Sequence, residues 1–262
     1  MANTPVVVLD DTMTSIANAI RAKTGGSATM TPGQMPAQIA SIPVGTLGIP
    51  REVNANGVYG MPTVTGFSLP ANATDVASHA LSNAFYGYTS LTSVDLSSLT
   101  TVSGSSALSY AFYSCTSLTS VDLGSLTTAS GVNALNSAFY GCTSLTSVDL
   151  SSLTTASGNY TLYSAFYGCT SLTSVAFSSL SSIANSNVLR TAFQGCTHLT
   201  SLSFPALTPS SFGSYGNQFY GMLNSVTGCT VHFPAAIQST IGSWSDVTNG
   251  FGGTNTTVLF DL

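Results

Sequence analysis

Charge is nearly missing from this chain. Four Lys and Arg and nine Asp and Glu are spread over 262 residues, so charged side chains make up 5%, about a fifth of the usual share in a soluble domain. The four basic residues, Arg21, Lys23, Arg51 and Arg190, cannot neutralise a run of phosphates, and the net charge is −5. No nucleic acid and no anionic membrane surface is therefore expected as a partner. No apolar run reaches the roughly 18 residues of a membrane-spanning helix, so no membrane insertion is expected. No basic residue precedes the short run Val6-Val7-Val8-Leu9, so no secretory signal peptide is visible. Gly-x-Ser-x-Gly turns, phosphate-cradling loops, dinucleotide fingerprints and closely spaced cysteine pairs are all missing. The expectation is no enzyme, no cofactor and no metal.

What replaces charge is hydroxyl. The chain holds 42 Ser and 36 Thr, while hydrophobic residues make up 44%, too many for a disordered low-complexity chain. These residues are arranged periodically. The segment Ala84-Phe85-Tyr86-Gly87-Tyr88-Thr89-Ser90-Leu91-Thr92-Ser93-Val94-Asp95-Leu96 returns with few changes from Ala111, Ala138, Ala165 and Ala192, at one constant step. Phe67 and Leu69 stand the same step before Val94 and Leu96, and Gln218-Phe219-Tyr220-Gly221 repeats Ala192-Phe193-Gln194-Gly195 at nearly that step. Atypical outer copies are expected where a turn has a neighbour on one side only.

Within a repeat the apolar spacing changes period. Val132, Leu135, Ala138 and Phe139 fall on one helical face, with Ser130 placed to cap the start and Gly141 to end it. After Gly141, Val148 and Leu150 alternate with Ser147 and Asp149, the pattern of a short strand with one buried face. The predicted unit is one strand and one short helix. Such units bury their apolar sides only by stacking, strands pairing in parallel about 4.8 Å apart. Helices need roughly 8–10 Å, which predicts a curved α/β solenoid with strands inside and helices outside. Phe85, Phe112, Phe139, Phe166 and Phe193 form its buried spine.

The Leu-x-x-Val-x-Leu spacing resembles the strand signature of leucine-rich repeats. The Ala-Phe-x-Gly-Cys-x-x-Leu-x-x-Val block at Ala138 to Val148 more closely resembles the BspA-like leucine-rich repeats of bacterial surface proteins, over about residues 57–234. The chain departs from the wider family where Asn often follows the strand; Leu99, Leu126, Leu153 and Leu180 stand there instead. The resemblance implies a parallel-sheet stack used for binding.

The ends do not repeat. Residues 1–45 read as a small helical module that attaches or caps. One amphipathic helix spans Asp10 to Lys23 with Met13, Ile16 and Ile20 on one side, and a second runs from Thr31 or Pro32 to Ile42 with Met35 and Ile39. The segment Leu9 to Ile42 looks like N-terminal modules of tail and appendage proteins in phages and prophages of gut bacteria. That likeness implies attachment through Met13, Ile16, Ile20, Met35 and Ile39 to other virion proteins, with trimeric assembly as one homo-oligomer. Residues 46–234 form the solenoid, clearest over 84–218 and with a last strand at Thr230–Pro234, and residues 235–262 form a C-terminal β cap with a further strand at Val258–Leu262 that closes the stack.

Three columns recur as candidate sites. Cys115, Cys142, Cys169 and Cys196, with Tyr88 in the first copy, read as a buried thiol filler rather than metal ligands. Ser93, Asp95, Ser120, Asp122, Ser147, Asp149, Ser174 and Ser201 line the exposed strand face and are the first candidate for ligand binding. Their carboxylates, about 5 Å apart in a stack of strands, should repel and titrate high unless hydroxyl donors or a cation intervene. Tyr86, Tyr113, Tyr140 and Tyr167 form an alternative aromatic strip, better suited to partial burial against the next turn than to sugar stacking. The resulting expectation is a non-catalytic virion appendage displaying its repeats to a host surface protein or glycan. The alternatives are a bacterial cell-surface adhesin and a decoration protein without a ligand. With no Lys or Arg between Arg51 and Arg190, trypsin should leave the array intact even after partial heating.

Overall fold

The computed structural model describes residues 52–53, 59–60, 65–69, 73–212 and 217–262. The expected helices of residues 1–45, including Met13, Ile16, Ile20, Met35 and Ile39, lie outside these. An antiparallel pair, β1 (Glu52–Val53) and β2 (Tyr59–Gly60), comes first. Next is β3 (Gly66–Ser68), followed by the Ser-Val-Asp strands β4 (Ser93–Asp95), β6 (Ser120–Asp122) and β8 (Ser147–Asp149). With β10 (Ser174–Ala176) they form one parallel sheet ordered β10-β8-β6-β4-β3. Register follows the repeat step without a slip: Phe67 pairs with Val94, Val94 with Val121, Val121 with Val148 and Val148 with Val175. The central residue of each Ser-Val-Asp strand is buried because successive side chains point to opposite faces. A second parallel sheet runs beside it, through β5 (Thr101–Val102), β7 (Thr128–Ala129) and β9 (Thr155–Ala156).

The parallel-sheet leucine-rich stack is as the sequence led us to expect, but the second half of each repeat is not a helix. Among the described residues, the segment from Gly131 to Gly141 and its copies form a ribbon of turns. Alternate N–H groups close turns within the repeat, as Ser109 to the Ser106 carbonyl and Ala111 to Leu108. Those between them reach the next repeat, as Leu108 to the Ala134 carbonyl, Tyr110 to Asn136 and Phe112 to Ala138, at 2.8–2.9 Å. Every fourth residue is left-handed: Asn133, Ser137 and Gly141 have φ of 55°, 51° and 70°. A left-handed residue at that frequency stops a right-handed helix from propagating, and the inter-repeat hydrogen bonds compensate for the strain. Val132, expected on the buried helical face, is 45% exposed, while Leu135, Ala138 and Phe139 are buried.

The physical reason is spacing. A helix cannot stack at the strand repeat, whereas a turn ribbon can, so both halves of the unit bond to their neighbours. Rings carried on the ribbon repeat at 4.4–5.6 Å, close to the strand spacing.

The interior is a set of columns. Phe112, Phe139, Phe166 and Phe193 are buried, as are Leu118, Leu145, Leu172 and Leu199. Threonine hydroxyls help close the stack: Thr119 Oγ1 donates to the Thr92 carbonyl at 3.0 Å, and Thr127 and Thr154 to Thr100 and Thr127 at 2.9 Å. Part of the hydroxyl excess is thus structural rather than a wet exterior.

Periodicity changes near the C-terminus. The Leu162 N–H bonds the carbonyl of Val188, whereas the equivalent Leu189 N–H bonds that of Gln218, further along the chain than the repeat step would place it. Likewise Phe166 bonds Ala192 whereas Phe193 bonds Met222. Phe219 therefore does not continue the column of Phe193, as the Phe-Tyr-Gly match had suggested. A third parallel sheet carries β11 (Ser201–Ser203), β12 (Thr230–Phe233) and β13 (Thr257–Phe260). Two four-residue helices, α1 (Gln238–Ile241) and α2 (Ser245–Thr248), lie between the last two strands. No helix among the described residues is long and apolar enough to cross a membrane.

Candidate functional site

Each repeat offers two exposed edges, one carried by the strands and one by the ribbon. On the strand edge, Ser93, Ser120, Ser147, Ser174 and Ser201 recur at the repeat step beside Asp95, Asp122 and Asp149, all exposed. The carboxylates are turned into their own loops. Asp95 Oδ1 accepts from the Ser97 N–H at 2.9 Å and hydroxyl at 2.6 Å, Asp122 Oδ1 from the Gly124 N–H at 3.0 Å, and Asp149 Oδ1 from the Ser151 N–H at 2.8 Å. Donors from Ser97 hold the Asp95 carboxyl below its ordinary range, and those from Ser151 do the same for Asp149. At Asp95 and Asp149 the Ser donors intervene and outweigh the loss of water that would raise the carboxyl. A glycosidase acid needs a raised pKa, and Asp95 and Asp149 move the other way. No group of three or more His, Cys, Asp or Glu among the described residues is arranged to hold a metal ion.

Cysteine is confined to the interior. The Sγ of Cys115, Cys142, Cys169 and Cys196 donates to the carbonyls of Phe85, Phe112, Phe139 and Phe166 at 3.0–3.1 Å. All five thiols are free and buried. Burial pushes Cys115 and Cys196 up to about 12 and Cys229 up to about 11, and raises Cys142 and Cys169 as well. Thiols so far from ionisation are poor nucleophiles and poor ligands. Tyr88, at the same position of the first copy, is buried too. Two of the histidines are turned to other partners than a nucleophile: the His198 ring faces the Thr170 carbonyl and His232 pairs with Asp261 at 3.0 Å.

The ribbon edge differs. Tyr86, Tyr113, Tyr140 and Tyr167 stack face to face, with centroids 4.4–4.6 Å apart and planes within 8° of parallel. Each ring is partly covered by the next turn. Loss of water, then the neighbouring Tyr167 and Tyr113, push the Tyr140 phenol up to about 12. Beside this column lies an open groove of about 370 Å3. Tyr113, Tyr140 and Tyr167 line it together with Tyr110 and Tyr163. Its remaining lining is hydroxyl and amide: Ser137, Ser164, Thr191 and Gln194. Tyr86 belongs to the column but not to the groove. Sequence reasoning missed Tyr110, Tyr163 and the small residues. The available signal was a broken column: Tyr110 is followed at the repeat step by Ser137, Ser164 and Thr191, and the groove opens where the ring is not repeated.

Comparison with known proteins places this architecture. The model of the BspA type leucine rich repeat region matches residues 52–164 and 109–240, in six copies. The chain belongs to that family. No curated protein matches it. Among solved structures it is similar to internalin C2 of Listeria monocytogenes, at 15% identity and a TM-score of 0.27, covering 94% of this chain and 85% of that one. It is also similar to an internalin, inlF, of the same organism at 14% identity and 0.32, covering 94% and 70%. A leucine rich cell surface protein of Faecalibacterium prausnitzii matches at 15% identity and 0.24, covering 74% and 60%.

Proposed function

We propose that this chain is a non-catalytic binding protein of the bacterial cell surface, an adhesin that engages a host protein or glycan through one edge of its stack. Membership in the BspA-type family supports this reading. The observation that carries it is the exposed ladder: chemically identical side chains recur in register, so one weak contact is repeated along the molecule and its effect multiplied by local concentration. The strand edge supplies Ser and Asp, the ribbon edge Tyr. The test is binding of the full chain to epithelial cells and mucin, together with its location in fractionated bacteria. Saturable binding and recovery from the outer surface are expected. A purely cytoplasmic location, or no binding to any host surface, would sink the proposal.

Virion attachment through Met13, Ile16, Ile20, Met35 and Ile39, and trimeric assembly with it, draws no support from the comparisons, whose family match begins at residue 52. Recovery of the chain from purified phage particles would replace the cell-surface reading.

A further inference from the structure

Resting on the binding reading above, we propose that the tyrosine groove of the ribbon edge is the ligand site, and that it takes a neutral, linear oligosaccharide laid along the stack. Three observations carry this. First, the lining contains no charged side chain; it consists of tyrosine rings, hydroxyls and one amide. An acidic sugar or a phosphate would find no cation there, in a chain of net charge −5. A neutral polyol finds donors and acceptors together with apolar ring surface. Rigid tyrosines with small adaptable hydroxyl residues are also the composition that recognition surfaces elsewhere favour, because tyrosine offers large amphipathic area with few rotatable bonds.

Second, size separates a sugar from a protein. A volume of about 370 Å3 falls at the lower end of small-ligand sites, roughly 300–1,000 Å3. A protein partner needs about 800 Å2 on each side, a far larger surface than a groove lined by nine residues supplies.

Third, the groove is made by departures from the repeat. Tyr110 closes the position that Ser137 and Ser164 leave empty. Ser137 and Ser164 are almost fully buried, and their hydroxyls are tied to Asn136 at 2.9 Å and to Thr191 at 2.7 Å. The base is therefore fixed in place before any ligand arrives. Tyr113, Tyr140 and Tyr167 already cover one another's faces, so the column offers ring edges and hydroxyls. A chain of sugars running parallel to the column meets one hydroxyl per rung.

Ser137→Tyr is the decisive variant. It installs the side chain that the preceding repeat carries naturally at Tyr110, where a tyrosine is accommodated at φ 56°, and so fills the groove without disturbing the core. Calorimetry on the full chain would use neutral linear hexasaccharides of glucose, mannose, xylose and galactose, with oligogalacturonate as the acidic probe. We expect at least one neutral probe to bind, with affinity unchanged between roughly 50 and 500 mM salt, a range over which the screening length shrinks about threefold. Binding should fall at least tenfold in Ser137→Tyr and several-fold in Tyr140→Phe, which removes a single hydroxyl and serves if the first variant misfolds. Silence from every neutral probe, a preference for the acidic probe, or full binding by folded Ser137→Tyr would overturn the proposal. Host-cell binding that survives Ser137→Tyr would remove the groove but leave the adhesin reading intact. Cytoplasmic location with sugar binding retained would do the reverse.

Discussion

Two parts of the stack hold their aromatic rings differently. In the regular array, Phe85, Phe112, Phe139, Phe166 and Phe193 lie 5.4–5.6 Å apart with planes within 9° of parallel. In the last turns, Phe219 meets Phe204, Phe212, Phe233 and Phe251 at 58–67°. Side chains related by pure translation must be parallel, so a repeating core can only stack its rings. Edge-to-face contact, equally favourable for an aromatic pair, becomes available at Phe219, where the repeat lengthens while the strands stay paired in register and this ring leaves the column of Phe193. Stacking continues through Phe204, Phe233 and Phe260 on the strand side, so the interlocked packing belongs to the rings around Phe219.

Alkali should break the array most severely. All five buried thiols have folded-state pKa values above their ordinary 9.0, so the folded state holds protons that the unfolded state releases. Their stabilising contribution is complete below about pH 9 and is lost as pH rises toward about 12. Each thiol that the unfolded chain ionises and the folded chain does not costs about 1.4 kcal/mol per pH unit in that window. Denaturant midpoints measured from roughly pH 8 to pH 11 should fall steeply; a flat profile would show that the thiols are not buried as described.

Truncating the spine comes next. Phe139→Ala should cost about 3–5 kcal/mol by leaving a cavity between two stacked rings, read as a lowered denaturant midpoint with an unchanged slope. A third effect concerns the close approach of the ribbons. A Cβ on Gly131 would overlap the Gly104 carbonyl, and one on Gly158 the Gly131 carbonyl. Gly131→Ala should therefore cost about 1–3 kcal/mol, whereas Gly228→Ala, with open space around it, should lose only what its positive φ demands, about 1 kcal/mol. Equal losses at the two glycines would argue against ribbon contact. The smallest effect belongs to the strand edge. Asp149→Asn should shift stability by less than about 1 kcal/mol, and only above its lowered pKa, since its stabilising contribution disappears as pH falls through that value.

Much of the stack was legible in the sequence. The recurrence of Ala-Phe-Tyr-Gly and Leu-Thr-Ser-Val-Asp-Leu set which residues share a column, and the strand pairs Val94 with Val121 and Val121 with Val148 follow that count. The ribbon was misread because Val132, Leu135 and Phe139 satisfy a helical period while the chain turns left-handed at Asn133 and Ser137. Local spacing cannot reveal that a helix is too wide for its neighbours. The end register was misread because Phe219-Tyr220-Gly221 copies an earlier phrase at a place where the chain holds extra residues.

Of the candidate sites, the columns were readable and the cavity was not. Sequence alone decided that Tyr113, Tyr140 and Tyr167 would stand together, because equal spacing in a stacked chain gives equal placement. It also decided that this surface would carry hydroxyls instead of charge. Only the tertiary structure decided that Tyr110 and Tyr163 line a groove together with that column, and that each aspartate turns one oxygen to donors of its own loop. Those outcomes depend on how close two ribbons come and which way a carboxylate turns. The first is set by contacts between residues one repeat apart, the second by which rotamer brings each carboxylate to the donors two residues further along its own loop.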